Sequence, residues 1–143
     1  MNRPSRSRAA FTLLEILVAL AIIGLLAGLA VNNADKILGR SQEAIAKAVV
    51  RDTFKSPLLS YKLAMGDYPS TAEGLQALLT APSTHSDRWR GPYLDTPGAK
   101  LPTDPWEEPY VYRYPGTKNK GGYDLFSKGP DRIEGTEDDV GNW

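Results

Sequence analysis

The sequence predicts an α+β protein, in which one long N-terminal helix packs against a small head with short antiparallel strands. Three patterns support this fold class. Residues 11–31 form a continuous apolar run, and residues 32–65 continue with apolar residues at helical spacing. Between residues 110 and 127, tyrosines recur with the period of a β-strand. The 143 residues suffice for one domain of this kind.

The apolar run at residues 11–31 contains a single charged residue, Glu15. As a helix it would span roughly 31 Å, about the thickness of a membrane's hydrocarbon core. The preceding residues contain no acid and three arginines, which predicts a cytoplasmic N-terminus: Arg3, Arg6 and Arg8. The residues alone leave two alternatives, a buried core helix and a signal peptide cleaved after Ala30.

A second helical pattern covers residues 32–65. Its apolar face is predicted from residues that fall roughly on i, i+3, i+4 spacing, namely Ile37, Ile45, Ala48, Val49 and Phe54. Gly39 weakens the helix. Pro57 should kink or interrupt it, because proline lacks an amide hydrogen and clashes with the preceding turn. The sequence Gly-Asp-Tyr-Pro at 66–69 should end it.

The head begins with a predicted capping box, Ser70 and Glu73, followed by a short helix through Leu79. Residues 110–114 and 123–127 are predicted strands, and the segment between them makes a hairpin plausible. We expect the residues after 127 to form a polar loop rich in aspartate and glycine.

Composition excludes several classes of protein. The chain contains no cysteine and one histidine, His85, which excludes disulfide frameworks, thiol catalysis and multi-histidine zinc sites. Lysine plus arginine equal aspartate plus glutamate, so a strongly basic nucleic-acid-binding protein is not expected. The sequence contains no nucleophile elbow or phosphate-binding loop, and we therefore expect no enzyme.

Glu15 is costly inside an apolar segment. If the chain were cut after Ala10, Phe11 would carry a positively charged amine, and the amine of a neighbouring subunit could pair with Glu15. Alternatively, Glu15 lies in the headgroup region of the membrane. The residues alone do not separate these two interpretations. Gly24 and Gly28 form a GxxxG pattern that permits close helix approach.

A basic leader, a small residue and Phe-Thr-Leu-Leu-Glu before about twenty apolar residues resemble the N-terminal signal of type IV pilins and type II secretion pseudopilins. The head motifs are similar to those of the major pseudopilin family, also called general secretion pathway protein G. They are Gly-Asp-Tyr-Pro at 66–69, Glu-Gly-Leu-Gln-Ala-Leu at 73–78, Gly-Pro-Tyr-Leu at 91–94, Asp-Pro-Trp at 104–106, Tyr-Asp-Leu-Phe-Ser at 123–127 and Asp-Asp-Val-Gly-Asn-Trp at 138–143.

The resemblance implies a type IV pilin-like fold with four segments: a leader (1–10), a transmembrane helix (11–31), its periplasmic continuation (32–65) and a globular head (66–143). It implies that a prepilin peptidase cuts between Ala10 and Phe11 and methylates the new amine, and that Glu15 guides subunit docking. The implied product is a homo-oligomeric periplasmic filament, anchored in the inner membrane of a bacterium. Its implied partners are minor pseudopilins, an inner-membrane assembly platform and the secreted proteins that it helps to export.

Three residues depart from the family pattern. Ala10 stands where the family prefers glycine, Asn32 stands where proline is usual, and Pro57 has no usual counterpart. Both alanine and glycine are small, so we expect processing, at a lower rate. The kink of the long helix is expected to have moved.

The C-terminal loop at 129–140 is rich in carboxylates but does not have the spacing of an EF-hand. Asp131, Asp138 and Asp139 can converge if the loop folds back. From the residues alone, a solvated acidic loop and a calcium site are both open. The resemblance implies one structural calcium ion in this loop, with the backbone carbonyl of Lys128 as a further ligand.

Two other functions fit parts of the sequence. A type IV pilin or minor pseudopilin would keep the filament class, although the absence of cysteine counts against many pilins. A membrane-anchored or secreted calcium-binding module would belong to a different class, and cleavage after Ala30 would support it.

Overall fold

The computed structural model describes residues 11–143, apart from the side chains of residues 30–35. The chain divides after Gly39 into an N-terminal unit and a C-terminal unit, Arg40–Trp143. The elements are helix α1 (Leu13–Ala48), a π-helical turn (Val49–Thr53), helix α2 (Lys55–Met65), 3₁₀ turns at Gly74–Leu78 and Pro97–Ala99, and strands β1 (Val111–Arg113), β2 (Asp124–Ser127) and β3 (Val140–Gly141). Long helix and small antiparallel sheet confirm the α+β class.

In the N-terminal unit, α1 presents exposed apolar side chains, with Leu13 at 79% and Leu25 at 66% of full exposure. The helix backbone continues through Asn32 and Gly39 without interruption. Over the residues whose side chains are described, no helix is both long and apolar enough to cross a membrane. The membrane span predicted for 11–31 includes residues outside that description, and it stays a prediction.

The helical core of the C-terminal unit is one row of side chains spaced mostly four residues apart: Ala46, Val50, Phe54, Leu58 and Tyr61, all at most 2% exposed. A step of four residues overshoots an α-helical turn of about 3.6, so such a row would drift around a regular helix. The π-helical turn takes up the excess because it is wider. It therefore keeps the row on one face.

The predicted helix face is only partly right. Ile45 is 55% exposed and Ile37 is 67% exposed, whereas Phe54 is buried as expected. Val49 is partly buried against the core, and Ala46 and Val50 take the buried positions in place of Ile45 and Ala48. The interruption expected near Pro57 is confirmed, although it lies before the proline. Gly66, in the left-handed conformation at φ 99°, ends α2 by donating its N–H to the Lys62 carbonyl.

The sheet has the order β1-β2-β3, with both pairs antiparallel. The predicted hairpin is confirmed: Tyr112 of β1 lies opposite Leu125 of β2. The third strand was not expected, since two residues, Val140 and Gly141, give no readable alternation. This strand, near the C-terminus, pairs with Ser127 and Phe126 of β2. Consequently the predicted polar C-terminal loop is the connection between β2 and β3.

Aromatic rings join the sheet to the helical row. Phe54 meets Tyr110 edge to face with centroids 5.9 Å apart, and Tyr61 meets Tyr93 in the same way at 5.7 Å. The buried hydroxyl of Tyr112 donates to the Pro69 carbonyl at 2.9 Å. Burial raises the pKa of Tyr112 well above its ordinary value, and neighbouring tyrosines raise it further by a smaller amount. These contacts hold the head against the helix.

Asp124 closes the loop between β1 and β2. Asp124 is 1% exposed. Its carboxylate accepts the N–H groups of residues 117, 118 and 119 at 2.6, 2.9 and 2.8 Å, together with the Thr117 hydroxyl. Burial raises the pKa of Asp124, but the hydrogen bonds outweigh it and the net pKa lies below the ordinary value. The ionised form therefore stabilises the fold.

Replacing this carboxylate should destabilise the protein in a pH-dependent way. Because the folded pKa is lowered, the stabilisation is complete above the unfolded pKa of about 3.9 and is lost as pH falls through the folded pKa. We expect Asp124→Asn to lower the free energy of unfolding at pH 7 by about 2 kcal/mol, the scale of one charge-assisted hydrogen bond. The measurement is urea unfolding of the full chain in detergent, followed by tryptophan fluorescence.

The matched control is Asp87→Asn, at an exposed loop aspartate. It should change the free energy of unfolding by less than about 0.5 kcal/mol. The difference between Asp124→Asn and the parent should shrink at acidic pH. A constant difference between pH 7 and pH 3 would contradict the role of the ionised form.

Candidate functional site

The N-terminal site consists of Phe11 and Glu15. Phe11 is 79% exposed, and Ala10 lies outside the described residues. Glu15 lies in the first turn of α1, where a negative charge interacts favourably with the positive end of the helix dipole. Its Oε2 faces the Thr12 N–H at 3.4 Å and the Thr12 hydroxyl at 3.5 Å. In return, the Glu15 N–H donates to the Thr12 Oγ1 at 3.3 Å.

These contacts form a capping box that was not predicted, although its motif is present in the sequence. Thr-Leu-Leu-Glu at 12–15 has the hydroxyl residue and the acid at the required spacing. The contacts are long, and Glu15 is exposed. The carboxylate therefore starts the helix locally and is still accessible to a cation from another molecule.

The C-terminal site is the acidic loop, defined here as residues 128–139. It folds back on itself, which is the condition under which the three aspartates can converge. The Asp131 N–H donates to Asp138 Oδ2 at 3.3 Å, and the Ile133 N–H donates to Asp131 Oδ1 at 2.8 Å. The Gly135 N–H donates to Asp139 Oδ2 at 2.8 Å. All three predicted aspartates thus help to close the same loop.

Asp138 is held by its neighbours in the loop. Its Oδ1 accepts the Thr136 hydroxyl at 2.6 Å. This bond is the main reason why the pKa of Asp138 lies below its ordinary value, with smaller effects from backbone N–H groups. Asp138 is consequently ionised at neutral pH, as a metal ligand must be.

A cation fits one atom of the loop in particular. Asp139 Oδ1 is buried and accepts no hydrogen bond. Leaving a buried carboxylate oxygen unpartnered is costly, and a hard cation would supply the missing partner. Within residues 11–143 as described, however, no three histidine, aspartate or glutamate side chains are grouped to hold a metal. The full ligand set, including the Lys128 carbonyl, stays a prediction.

Two buried polar residues next to the loop were not predicted, Asp104 and Ser127. Asp104 is 4% exposed and Ser127 is fully buried. The Ser127 hydroxyl donates to Asp104 Oδ2 in a very short hydrogen bond and accepts the Gly129 N–H at 3.1 Å. In the sequence, Asp104 belongs to the Asp-Pro-Trp motif at 104–106 and Ser127 to the Tyr-Asp-Leu-Phe-Ser motif at 123–127. Neither motif reveals a partner 23 positions away.

The single histidine, His85, lies in a loop. It is exposed and has a left-handed backbone at φ 56°. Glu73 has a clearer role. Its carboxylate accepts the Ser70 N–H at 2.9 Å and its own N–H donates to Ser70 Oγ at 3.3 Å, which confirms the capping box. The second carboxylate oxygen accepts the Thr84 hydroxyl at 2.8 Å. Burial raises the pKa of Glu73, but the hydrogen bonds from Ser70 and Thr84 bring it below its ordinary value.

The family of type II secretion system (T2SS) protein G matches residues 35–143. This match covers the whole acidic loop and most of the chain. The chain belongs to the T2SS protein G family. The prokaryotic N-terminal methylation motif matches residues 5–31, which contain Phe11 and Glu15.

Relatives within the T2SS protein G family are similar over nearly their full length. The chain is 43% identical to the T2SS core protein G of Pectobacterium carotovorum over 135 residues, which cover 93% of this chain and 83% of the relative. It is 40% identical to that of Pseudomonas aeruginosa over 144 residues, which cover 96% of each chain.

A solved structure agrees with this assignment. The chain is similar to the major pseudopilin of the type 2 secretion system of enterohaemorrhagic Escherichia coli, with a TM-score of 0.59 and 33% identity. The match covers 73% of this chain and 85% of the other. The T2SS protein G family comprises structural pseudopilin subunits and not enzymes. The matches favour this family over a type IV pilin, a minor pseudopilin or an anchored calcium module.

Proposed function

We propose that the chain is the major structural subunit of a type II secretion pseudopilus, a periplasmic filament that helps to export folded proteins across the outer membrane. The observation that carries this proposal is the family match over residues 35–143, together with the methylation motif over 5–31. The function is mechanical: copies of the chain assemble, and no chemistry is catalysed. Minor pseudopilins, an inner-membrane assembly platform and the exported proteins are its proposed partners.

The proposed location is the bacterial inner membrane, with a cytoplasmic N-terminus and a periplasmic head. The support is the sequence of residues 11–31, which contains one charge and follows three arginines. Gly24 and Gly28 form a GxxxG pattern in this segment, and such small residues permit close approach of another helix.

The proposed processing is a cut between Ala10 and Phe11 by a prepilin peptidase, followed by methylation of the Phe11 amine. The methylation motif supports it, and so does the high exposure of Phe11. The measurement is the intact mass of the chain extracted from membranes of a bacterium that has the secretion system. We expect a mass that begins at Phe11 and includes one added methyl group.

Ala10→Gly is the matched control for this measurement. It should give the same mature mass, with a larger processed fraction if alanine slows the cut. A chain that begins at Met1, or at Val31 after signal-peptide cleavage, would contradict the proposed processing.

Glu15 is proposed to pair with the Phe11 amine of a neighbouring subunit. Its carboxylate is exposed at the start of α1, five positions into the apolar run, where a lone charge is costly. A capping box accepts glutamine as well as glutamate. Glu15→Gln therefore removes the charge and keeps the helix cap.

We expect Glu15→Gln to reduce assembled filament by about tenfold or more, which corresponds to a pairing energy of at least about 1.4 kcal/mol. The measurement is the fraction of the chain that sediments as filament after overproduction, with membrane insertion assayed in parallel. Glu43→Gln, at an exposed acid elsewhere on α1, is the control and should assemble normally. Normal filaments from Glu15→Gln would refute the pairing.

A single calcium ion is proposed to bind in the acidic loop, with Asp131, Asp138, Asp139 and the Lys128 carbonyl as ligands. The unpartnered Asp139 Oδ1 supports a cation, and oxygen donors suit calcium. The ion would offset the repulsion among the carboxylates and order the connection between β2 and β3. Its role is structural.

Calcium should stabilise the folded chain by mass action. At a hundredfold excess over its Kd, the expected gain is about 2.7 kcal/mol, or roughly 10 °C in Tm for a unit of this size. The measurement is the thermal melt of the full chain in detergent, with calcium chloride or with a chelator. Asp139→Asn should melt at the same temperature in both. An unchanged melt of the parent chain would overturn the calcium proposal.

A further inference from the structure

The turn at residues 103–109 encloses the carboxylate of Asp104. Asp104 Oδ1 accepts the Trp106 N–H at 3.0 Å and the Glu108 N–H at 2.8 Å, and the Asp104 N–H donates to the Glu108 carbonyl at 2.8 Å. The carboxylate is 4% exposed and fixed on one side by this turn. Its second oxygen, Oδ2, is therefore presented in a defined direction.

That second oxygen orients the hydroxyl of Ser127. The hydroxyl has one proton, and this proton is directed at Asp104 Oδ2. The lone pairs of Ser127 Oγ are thereby left to accept the Gly129 N–H at 3.1 Å. Ser127 is fully buried, so water does not compete for either bond. The result is a directed chain from the Gly129 N–H through Ser127 to Asp104.

The Gly129 N–H belongs to the same peptide group as the Lys128 carbonyl. A trans peptide is planar, and its N–H and C=O point in opposite directions. Holding the N–H towards Ser127 therefore turns the Lys128 carbonyl away from Ser127 and fixes its direction.

Gly129 is also where the two ends of the acidic loop meet. Its φ is 69°, and a Cβ added there would collide with the backbone carbonyl of Asp138. Arg132 connects the loop to the same turn, because its Nη2 donates to the Trp106 carbonyl at 2.9 Å. The turn at 103–109 thus holds the loop at Gly129 and at Arg132.

We propose that Asp104 and Ser127 are positioning residues for the calcium site, which set its affinity by aiming the Lys128 carbonyl and fixing the gap between Gly129 and Asp138. This inference rests on the calcium site proposed above. Neither residue would touch the ion. Residues that orient ligands in this way typically change metal affinity by about 10- to 100-fold.

The test measures the Kd for calcium by isothermal titration of calcium chloride into the full chain in detergent. Ser127→Ala should raise the Kd by about 10- to 100-fold, and Asp104→Asn should raise it in the same direction. Each variant is first checked for folding by near-ultraviolet circular dichroism in chelator. If one is unfolded there, the calcium concentration that restores its signal takes the place of the titration.

Two matched controls separate positioning from general loss of stability. Tyr110→Phe removes another buried hydroxyl, one that has no hydrogen-bond partner. This hydroxyl is near Asp104, since burial and then the Asp104 charge raise the pKa of Tyr110 to about 12. Asp124→Asn removes a buried carboxylate from β2, the strand that also contains Ser127. This carboxylate accepts the N–H groups of residues 117–119. Both should bind calcium with the Kd of the parent chain.

The outcomes are distinct. If the parent chain itself binds no calcium, the calcium site is wrong and this inference fails with it. If the parent binds and Ser127→Ala and Asp104→Asn bind equally well, only the positioning role is overturned. The positioning role would also be overturned if Asp124→Asn raised the Kd as much as Ser127→Ala and Asp104→Asn do, because the effect would then be one of stability alone.

Discussion

Burial of one helical row, Val50, Phe54, Leu58 and Tyr61, is the interaction on which the C-terminal unit depends. The π-helical turn and α2 both contribute to it, and the aromatic side chains of the head pack on it. Each fully buried side chain of this size contributes roughly 1.5–3 kcal/mol by leaving water. The C-terminal unit begins at Arg40, inside α1, so the last residues of α1 belong to the same compact unit as this row and the head.

On this core, two buried aspartates organise two different connections of the head. Asp124 gathers three backbone N–H groups and closes the loop between β1 and β2, while Asp104 gathers two and holds the turn before β1. Both carboxylates replace lost water with backbone donors, which makes their burial tolerable. Of the two, only Asp104 also reaches the acidic loop, through the Ser127 hydroxyl and the Gly129 N–H.

Local chemistry made about half of this structure predictable. The hairpin followed from the alternation around Tyr112, and the turn at residues 70–78 followed from Ser70 and Glu73. The buried helix face was predicted only in part: Phe54 is buried, whereas Ile37 and Ile45 are exposed, because burial depends on what packs against the helix and not on periodicity alone. For the site, the acidic residues were visible in sequence, whereas the Asp104–Ser127 contact joins residues 23 positions apart. A turn motif gives no information about such a partner.

The connection between β2 and β3 has a consequence for how the fold can be opened. The last strand is two residues long and is reached through the twelve residues of the acidic loop. Asn142 extends its pairing with β2, because its N–H donates to the Leu125 carbonyl at 3.1 Å and its side-chain oxygen accepts the Leu125 N–H at 3.0 Å. Since the chain has no cysteine, this closure rests on non-covalent contacts and does not depend on the redox state of its surroundings.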